Sequence, residues 1–223
     1  MNKILILGVG SQKSGTTWFA DSLNTSKRYA PGYTKEYHAF DTGHWFLERR
    51  DHLLCQLSKK IADGSLALDG SSASVGLLRS ILFSQDYSSY FDYFRSLADA
   101  NPTKTMFSDI TPSYSALSSS TLSFIRGEFC KRGFTVKPVF LMRDPVERAV
   151  SSAIQIINSP VFRSSFMHCK SLDEFLVGNH FKDFFAIRGD YISTVNSLDS
   201  AFAGEGVLYE FYEHLFSADF VDK

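Results

Sequence analysis

The chain predicts an α/β fold with a mostly parallel central sheet flanked by helices, and two segments carry that expectation. In the first, the apolar run Ile4-Leu5-Ile6-Leu7 ends in a loop of small residues, which opens into an amphipathic stretch from Trp18 to Leu23. In the second, Val139 to Met142 reads as a buried strand, and the helix start behind it is marked three times. Asp144 suits the N-cap, Pro145 suits the first helical position, and Glu147 completes a capping box. Val146, Ala149, Val150, Ala153, Ile154 and Ile157 recur at helical spacing and form the expected apolar face.

The first junction is built for an anion. Backbone N–H groups at a helix start, together with the helix dipole, hold phosphate without a further device. A nucleoside-triphosphate loop reads G-x-x-x-x-G-K-[ST], with a lysine after the second glycine and a hydroxyl behind it for magnesium. Gly10 and Gly15 keep that glycine spacing, but Thr16 fills the lysine's place and the cation has moved into the loop as Lys13. The fold is therefore expected to be P-loop-like and three-layered, with a loop that binds a phosphate-bearing nucleotide and works without Mg²⁺.

Downstream elements follow in order. Lys35-Glu36-Tyr37-His38-Ala39-Phe40-Asp41 lies beyond the turn-like Pro31-Gly32, and a carboxylate or imidazole there could take the proton of an attacking hydroxyl. His44 to Ala62 is helical in pattern, through Trp45, Phe46, Leu53, Leu54, Leu57 and Ile61, and Asp63 to Ser74 reads as loop. Ser80 to Ala98 predicts one or two helices whose aromatic stripe is core or groove wall. Met106 to Tyr114 runs from strand to loop, and Ser118-Ser119-Ser120 is a loop or helix start. Arg143 ends its strand where open α/β sheets bind ligands. Ser151 lies two helical turns on, so guanidinium and hydroxyl could grip one phosphate together.

Lys13-Ser14-Gly15-Thr16-Thr17-Trp18 resembles the 5′-phosphosulfate loop of sulfotransferases that use 3′-phosphoadenosine-5′-phosphosulfate (PAPS), and the Arg143 to Ser151 string resembles their 3′-phosphate motif. The resemblance implies that Gln12, Lys13, Ser14, Gly15, Thr16, Thr17 and Trp18 hold the phosphosulfate, that Arg143 and Ser151 hold the 3′-phosphate, and that the product is PAP with no metal involved. The Lys35 to Asp41 string resembles the K-E-x-H-x-F-D string of heparan-sulfate-type and related carbohydrate sulfotransferases, in which the glutamate is the proposed base. Lys13, Glu36 and His38 are then the catalytic residues. The choice of base between Glu36 and His38 stays open, because cytosolic small-molecule members use a histidine. Met106 to Tyr114 is similar to the family's E-K-T-P-x-Y string: Thr111, Pro112 and Tyr114 match, while Ile110 replaces the lysine. That lysine's work would pass to Lys104 or Lys35, and a less charged hydroxyl acceptor becomes easier to imagine than a polyanionic sugar. Lys35, Asp41 and Tyr114 are the expected acceptor-side residues.

Near the end, Phe184 to Tyr191 resembles the family's G-x-Y segment before a helix, and Val207 to Leu215 its last sheet strand. Relatives continue further, so residues 1–223 are expected to form a single sulfotransferase domain lacking the usual C-terminal part, with a nucleotide pocket open on one side.

Composition excludes some classes. The net charge of −1, from 23 basic and 24 acidic residues, gives no global field toward nucleic acid or anionic membrane. Cys55, Cys130 and Cys169 are widely spaced and form no metal pattern, which suggests buried thiols in a reducing compartment. The run Ile4 to Leu7 is too short for a secretion signal, and no stretch approaches the roughly 18 apolar residues of a membrane span. A cytoplasmic protein acting on a small-molecule or glycan acceptor is the expectation. The alternatives are a P-loop kinase-like enzyme and a non-catalytic PAP-binding module.

Overall fold

The computed structural model describes residues 2–41, 47–67, 73–158 and 188–216. Four parallel strands form its sheet, in the order β2-β1-β3-β4: β1 Lys3–Gly10, β2 Met106–Ile110, β3 Phe134–Met142 and β4 Leu208–Phe211. β1 pairs with β2 from Ile4↔Met106 to Gly8↔Ile110, and on its other side with β3 from Lys3↔Phe134 to Gly10↔Phe140. The chain thus leaves β1 for one side and later returns to the other. This puts a topological switch point between the carboxyl ends of β1 and β3, where such sheets bind ligands.

The period of two along β1 sorts its side chains between two cores. Leu5, Leu7 and Val9 face one core with Phe107, Val136 and Phe140, beneath α4 (Tyr87–Ala100), α5 (Ser119–Lys131) and α7 (Tyr191–Ala201). Ile6 faces the other with Ile110, Val139 and Leu141, beneath α1 (Thr16–Leu23) and the short α8 (Tyr212–Leu215). Helices therefore cover both faces, as the apolar strands demanded. The first core is dominated by rings. Tyr90, Phe91, Phe94 and Phe129 are nearly all edge-on to one another, with centroids 5.0–5.8 Å apart, so the aromatic stripe is core.

The remaining helices among the described residues are α2 (Leu47–Ala62), α3 (Ala73–Gln85) and α6 (Pro145–Asn158), with a 3₁₀ turn at Pro112–Ala116. Two helices, not one, occupy the Ser80 to Ala98 region. Asp86 divides them, because its carboxylate accepts from the amides of Ser88 and Ser89 and so starts α4. Ser118 likewise caps α5 by accepting from the amide of Thr121. Trp45 and Phe46 lie outside the described residues.

Three expectations are corrected. Among the described side chains of α6, Arg148, Ser152 and Ala153 are buried and Ala149 and Val150 half-buried, while Val146 and Ile154 are 71% and 46% exposed. Part of the expected apolar face therefore turns inward, but it is centred on Arg148 and Ser152 rather than on Val146 and Ile154; the side chain of Ile157 lies outside the described residues. The start of α6 is fixed by Asp144, whose carboxylate accepts from the amides of Val146 and Glu147 at 3.0 and 2.9 Å. Glu147 does not close a capping box: it pairs with Arg143, and the Asp144 amide turns to Glu213. Finally, Cys55 and Cys130 are exposed rather than buried, and Cys169 lies outside the described residues.

Candidate active site

The loop after β1 is wound tightly. Its Ser11 amide donates to the carbonyl of Leu141 at 2.6 Å, which ties it across the switch point to β3. The hydroxyls of Ser11 and Ser14, both fully buried, meet at 2.5 Å. Lys13 adopts a left-handed φ of 70°, a conformation that costs a lysine about 1–3 kcal/mol and persists only where surroundings enforce it. Gly15, at φ 81°, starts α1, and a Cβ there would lie 2.7 Å from Leu215 and 3.2 Å from Tyr212. Glycine is required both by the backbone angle and by the closeness of α8. Thr16 is buried, Thr17 is exposed, and Trp18 packs edge-on against Phe216 at 5.2 Å.

Arg143 follows β3 and reaches back over this loop. Its guanidinium donates to the Lys13 carbonyl at 3.4 Å and to Glu147 at 2.9 Å, and lies 4.5 Å from the ring centre of Tyr212. Its Nε is buried with no hydrogen-bond partner among the described residues. Ser151 sits half-buried on α6, two turns along. One residue that sequence reasoning left as structural joins the two motifs. The Tyr191 hydroxyl donates to the Arg143 carbonyl at 2.9 Å and stands 3.2 Å from the Ser11 hydroxyl.

The third group stands on the β2 side. His38 lies between two carboxylates, with Nδ1 2.6 Å from Asp41 and Nε2 3.1 Å from Glu36. Glu36 also pairs with Lys35 at 2.8 Å, and the Lys35 ammonium reaches the Thr17 hydroxyl of α1 at 3.1 Å, linking this group to the loop. Burial pushes the Glu36 carboxyl up, but hydrogen bonds and charge from His38 and Lys35 together prevail and hold it at about 2. Asp41 is fully buried and accepts from the Ser113 hydroxyl. Tyr114 is also buried, and its hydroxyl accepts from the Ala39 amide at 3.0 Å. Both side chains are withdrawn from solvent.

A further cation was not anticipated. Arg188 is buried and donates to the Gln12 side chain of the loop at 2.7 Å. Burial pushes its guanidinium down to about 10, with Arg148 adding to the fall and the charges of Asp41 and Glu36 opposing it. No pattern in the sequence marks it, since 176 residues separate the two partners. Lys104, by contrast, is too far away to serve the site. It precedes the amino end of β2 and donates to the Lys27 carbonyl at 3.0 Å, at the opposite end of the parallel strands from the loop. Of the two lysines named for the missing one at Ile110, the structure brings Lys35 to the loop. Ile110 itself is fully buried against Gly8.

A sulfotransferase from Alicyclobacillus acidocaldarius has a crystal structure that aligns with 96% of this chain and 74% of its own, at a TM-score of 0.54 and 14% identity. The fold is sulfotransferase-like. No protein-family model matches the chain, and no curated protein matches it. The loop after β1 and the start of α6 are where the two central strands, β1 and β3, yield to helices, and both candidate anion grips lie there. Among the described residues, no group of three or more His, Cys, Asp or Glu side chains could hold a metal ion, and no helix is long and apolar enough to cross a membrane.

Proposed function

We propose that the protein is a sulfotransferase that moves a sulfuryl group from PAPS to a hydroxyl or amine of a small-molecule or glycan acceptor. The observation that carries this reading is the reach of Arg143 to the Lys13 carbonyl across the switch point, 3.4 Å away. That contact supports the reading because it brings together two candidate anion grips carried by separate strands, as a nucleotide charged at both ends requires.

The residues fit such a nucleotide. Lys13 and the amides from Ser14 to Thr17 would hold the 5′-phosphosulfate at the start of α1. Arg143 and Ser151 would hold the 3′-phosphate, the guanidinium using N–H groups beyond the two that meet Lys13 and Glu147. PAPS when bound supplies the activated sulfuryl group. Lys13 offsets negative charge at the phosphate end of the loop, in a site already arranged for it.

Hydrogen-bond accounting favours Glu36 as the base. With Asp41 and Glu36 ionised, both nitrogens of His38 face acceptor-only oxygens, so both carry hydrogen and neither can take a proton. Glu36 keeps its second oxygen on Lys35, which is partly exposed and can turn to an acceptor molecule, freeing the carboxylate to accept a proton. Thr16, in the place where a triphosphate loop has its lysine, speaks against the kinase-like alternative.

Titration calorimetry tests the reading. PAP should bind at least about tenfold more tightly than AMP, the margin expected of one charge-assisted phosphate grip, and magnesium should leave both unchanged. Preference for ATP with Mg²⁺, or PAP no tighter than AMP, would end it. Screening glycans, phenols, lipids and secondary-metabolite alcohols with labelled PAPS would then find the acceptor.

A further inference from the structure

Asp109, at the end of β2, is fully buried and touches neither the loop nor Arg143, yet its carboxylate organises the segment that carries Glu36 and His38. One oxygen accepts from the Thr111 hydroxyl at 2.6 Å; the other accepts from the hydroxyls of Tyr90 at 2.7 Å and Tyr114 at 3.1 Å. An ionised carboxylate has acceptors alone, so every hydroxyl around it must point its hydrogen inward. The lone pairs of Thr111 and Tyr114 are thereby turned toward the main chain. Thr111 accepts from the amides of Tyr37 at 3.0 Å and His38 at 3.5 Å, and Tyr114 accepts from the amide of Ala39 at 3.0 Å. Three consecutive amides are held by two hydroxyls whose direction one carboxylate dictates.

That hold has work to do, because His38 has a left-handed φ of 53°. A histidine keeps such a backbone only where its surroundings over-determine it. The imidazole's contacts with Glu36 and Asp41 follow from that backbone. The geometry points to Asp109 as a positioning residue, which fixes the strained Tyr37–Ala39 turn by setting the polarity of Thr111 and Tyr114 and so aims Glu36 and His38. This rests on the reading that Glu36 and His38 serve proton transfer. Asp109 itself touches no substrate.

The role has a pattern that generic stabilisation lacks. In Asp109→Asn the amide offers one acceptor and one donor group, so whichever way it turns, a hydroxyl meets an N–H and must reverse. Amide hydrogen exchange read by NMR on the full chain should show residues 37, 38 and 39 exchanging at least about tenfold faster, with the β1 amides of Leu5 and Leu7 unchanged. Thr111→Val should speed Tyr37 and His38 and spare Ala39, whereas Tyr114→Phe should speed Ala39 and spare the other two. PAP affinity should stay within about threefold in all three variants while turnover of Asp109→Asn falls about tenfold or more. Equal acceleration across β1, or loss of the split between Thr111→Val and Tyr114→Phe, overturns the proposal. If Asp109→Asn does not fold, that split alone decides. Failure of the wild type to bind PAP would instead sink the sulfotransferase reading and leave the exchange pattern untouched.

Discussion

The acidic corner at Glu36–Asp41 and the basic corner at Arg143 flank the same loop and are held in different ways. Tyr37, His38 and Ala39 have their amides fixed by side chains, and His38 and Asp41 are buried with their hydrogen bonds directed inward. Arg143 instead leans on an aromatic ring, a main-chain carbonyl at 3.4 Å and a glutamate that is 65% exposed, and one of its nitrogens has no hydrogen-bond partner among the described residues. A group that must transfer a proton needs its direction set in advance. A group that must close on an anion can leave donors free for the ligand. The molecule invests its rigidity on one side and its spare hydrogen-bonding capacity on the other.

Exchanging the two kinds of damage gives the largest expected effects. Glu36→Gln should lower sulfuryl transfer by about 10²–10⁴, the range of a lost general base, and leave PAP binding within about threefold. Arg143→Ala should do the reverse, weakening PAP by about 10–100-fold while turnover at saturating PAPS survives. Single-turnover assays with labelled PAPS, beside calorimetry, separate the two. Equal turnover by Glu36→Gln and wild type would remove Glu36 from the mechanism. Equal losses in both quantities for both variants would erase the contrast between the corners.

The contrast also has a pH signature. Burial raises the Asp109 carboxyl to about 6, against the hydrogen bonds of Thr111, Tyr90 and Tyr114 and the charge of His38. The native state therefore holds a proton that the unfolded chain, with its ordinary value of 3.8, has already released. Stability should fall as pH rises from about 4 to about 6, by up to about 3 kcal/mol, and stay lower above that. Glu36 has the opposite sign: its stabilising contribution is present above 4.5 and lost as pH falls toward about 2. Urea unfolding of wild type and Asp109→Asn across pH 4–7 isolates the first effect as a wild-type-minus-variant stability difference that grows toward low pH. A constant difference would mean that Asp109 is not the titrating group.

How much of this was legible depends on whether the cause was local. Strands β1 and β3, the loop between Gly10 and Gly15, and the Asp144 cap were readable because each rests on neighbours within a few residues. The inward face of α6 was not, because the surroundings of the buried Arg148 come from far along the chain: a Cβ on Gly189, 41 residues on, would lie 3.0 Å from its guanidinium. Arg188 on Gln12 and Asp109 beneath Thr111 and Tyr90 are long-range or buried polar contacts of the same kind. Apolar periodicity says nothing about which polar side chain a fold will enclose. The exposed thiols of Cys55 and Cys130 fail for a related reason, since composition suggested burial and only packing assigns it.

The smallest effect probes whether the basic corner is as loosely organised as its contacts suggest. Glu147 holds one arm of Arg143 at 2.9 Å from an exposed position on the first turn of α6. Exposed pairs of this kind contribute about 0–1 kcal/mol, so Glu147→Gln should change unfolding free energy by less than about 0.5 kcal/mol. PAP affinity should rise by up to about threefold, because the guanidinium no longer divides its charge between a carboxylate and the incoming phosphate. Calorimetry at low and moderate salt measures it, and the gain should shrink as salt screens the competing charge. A tenfold loss of PAP affinity would show that Glu147 aims Arg143 as firmly as Thr111 and Tyr114 aim the acidic corner, and that both corners are preset.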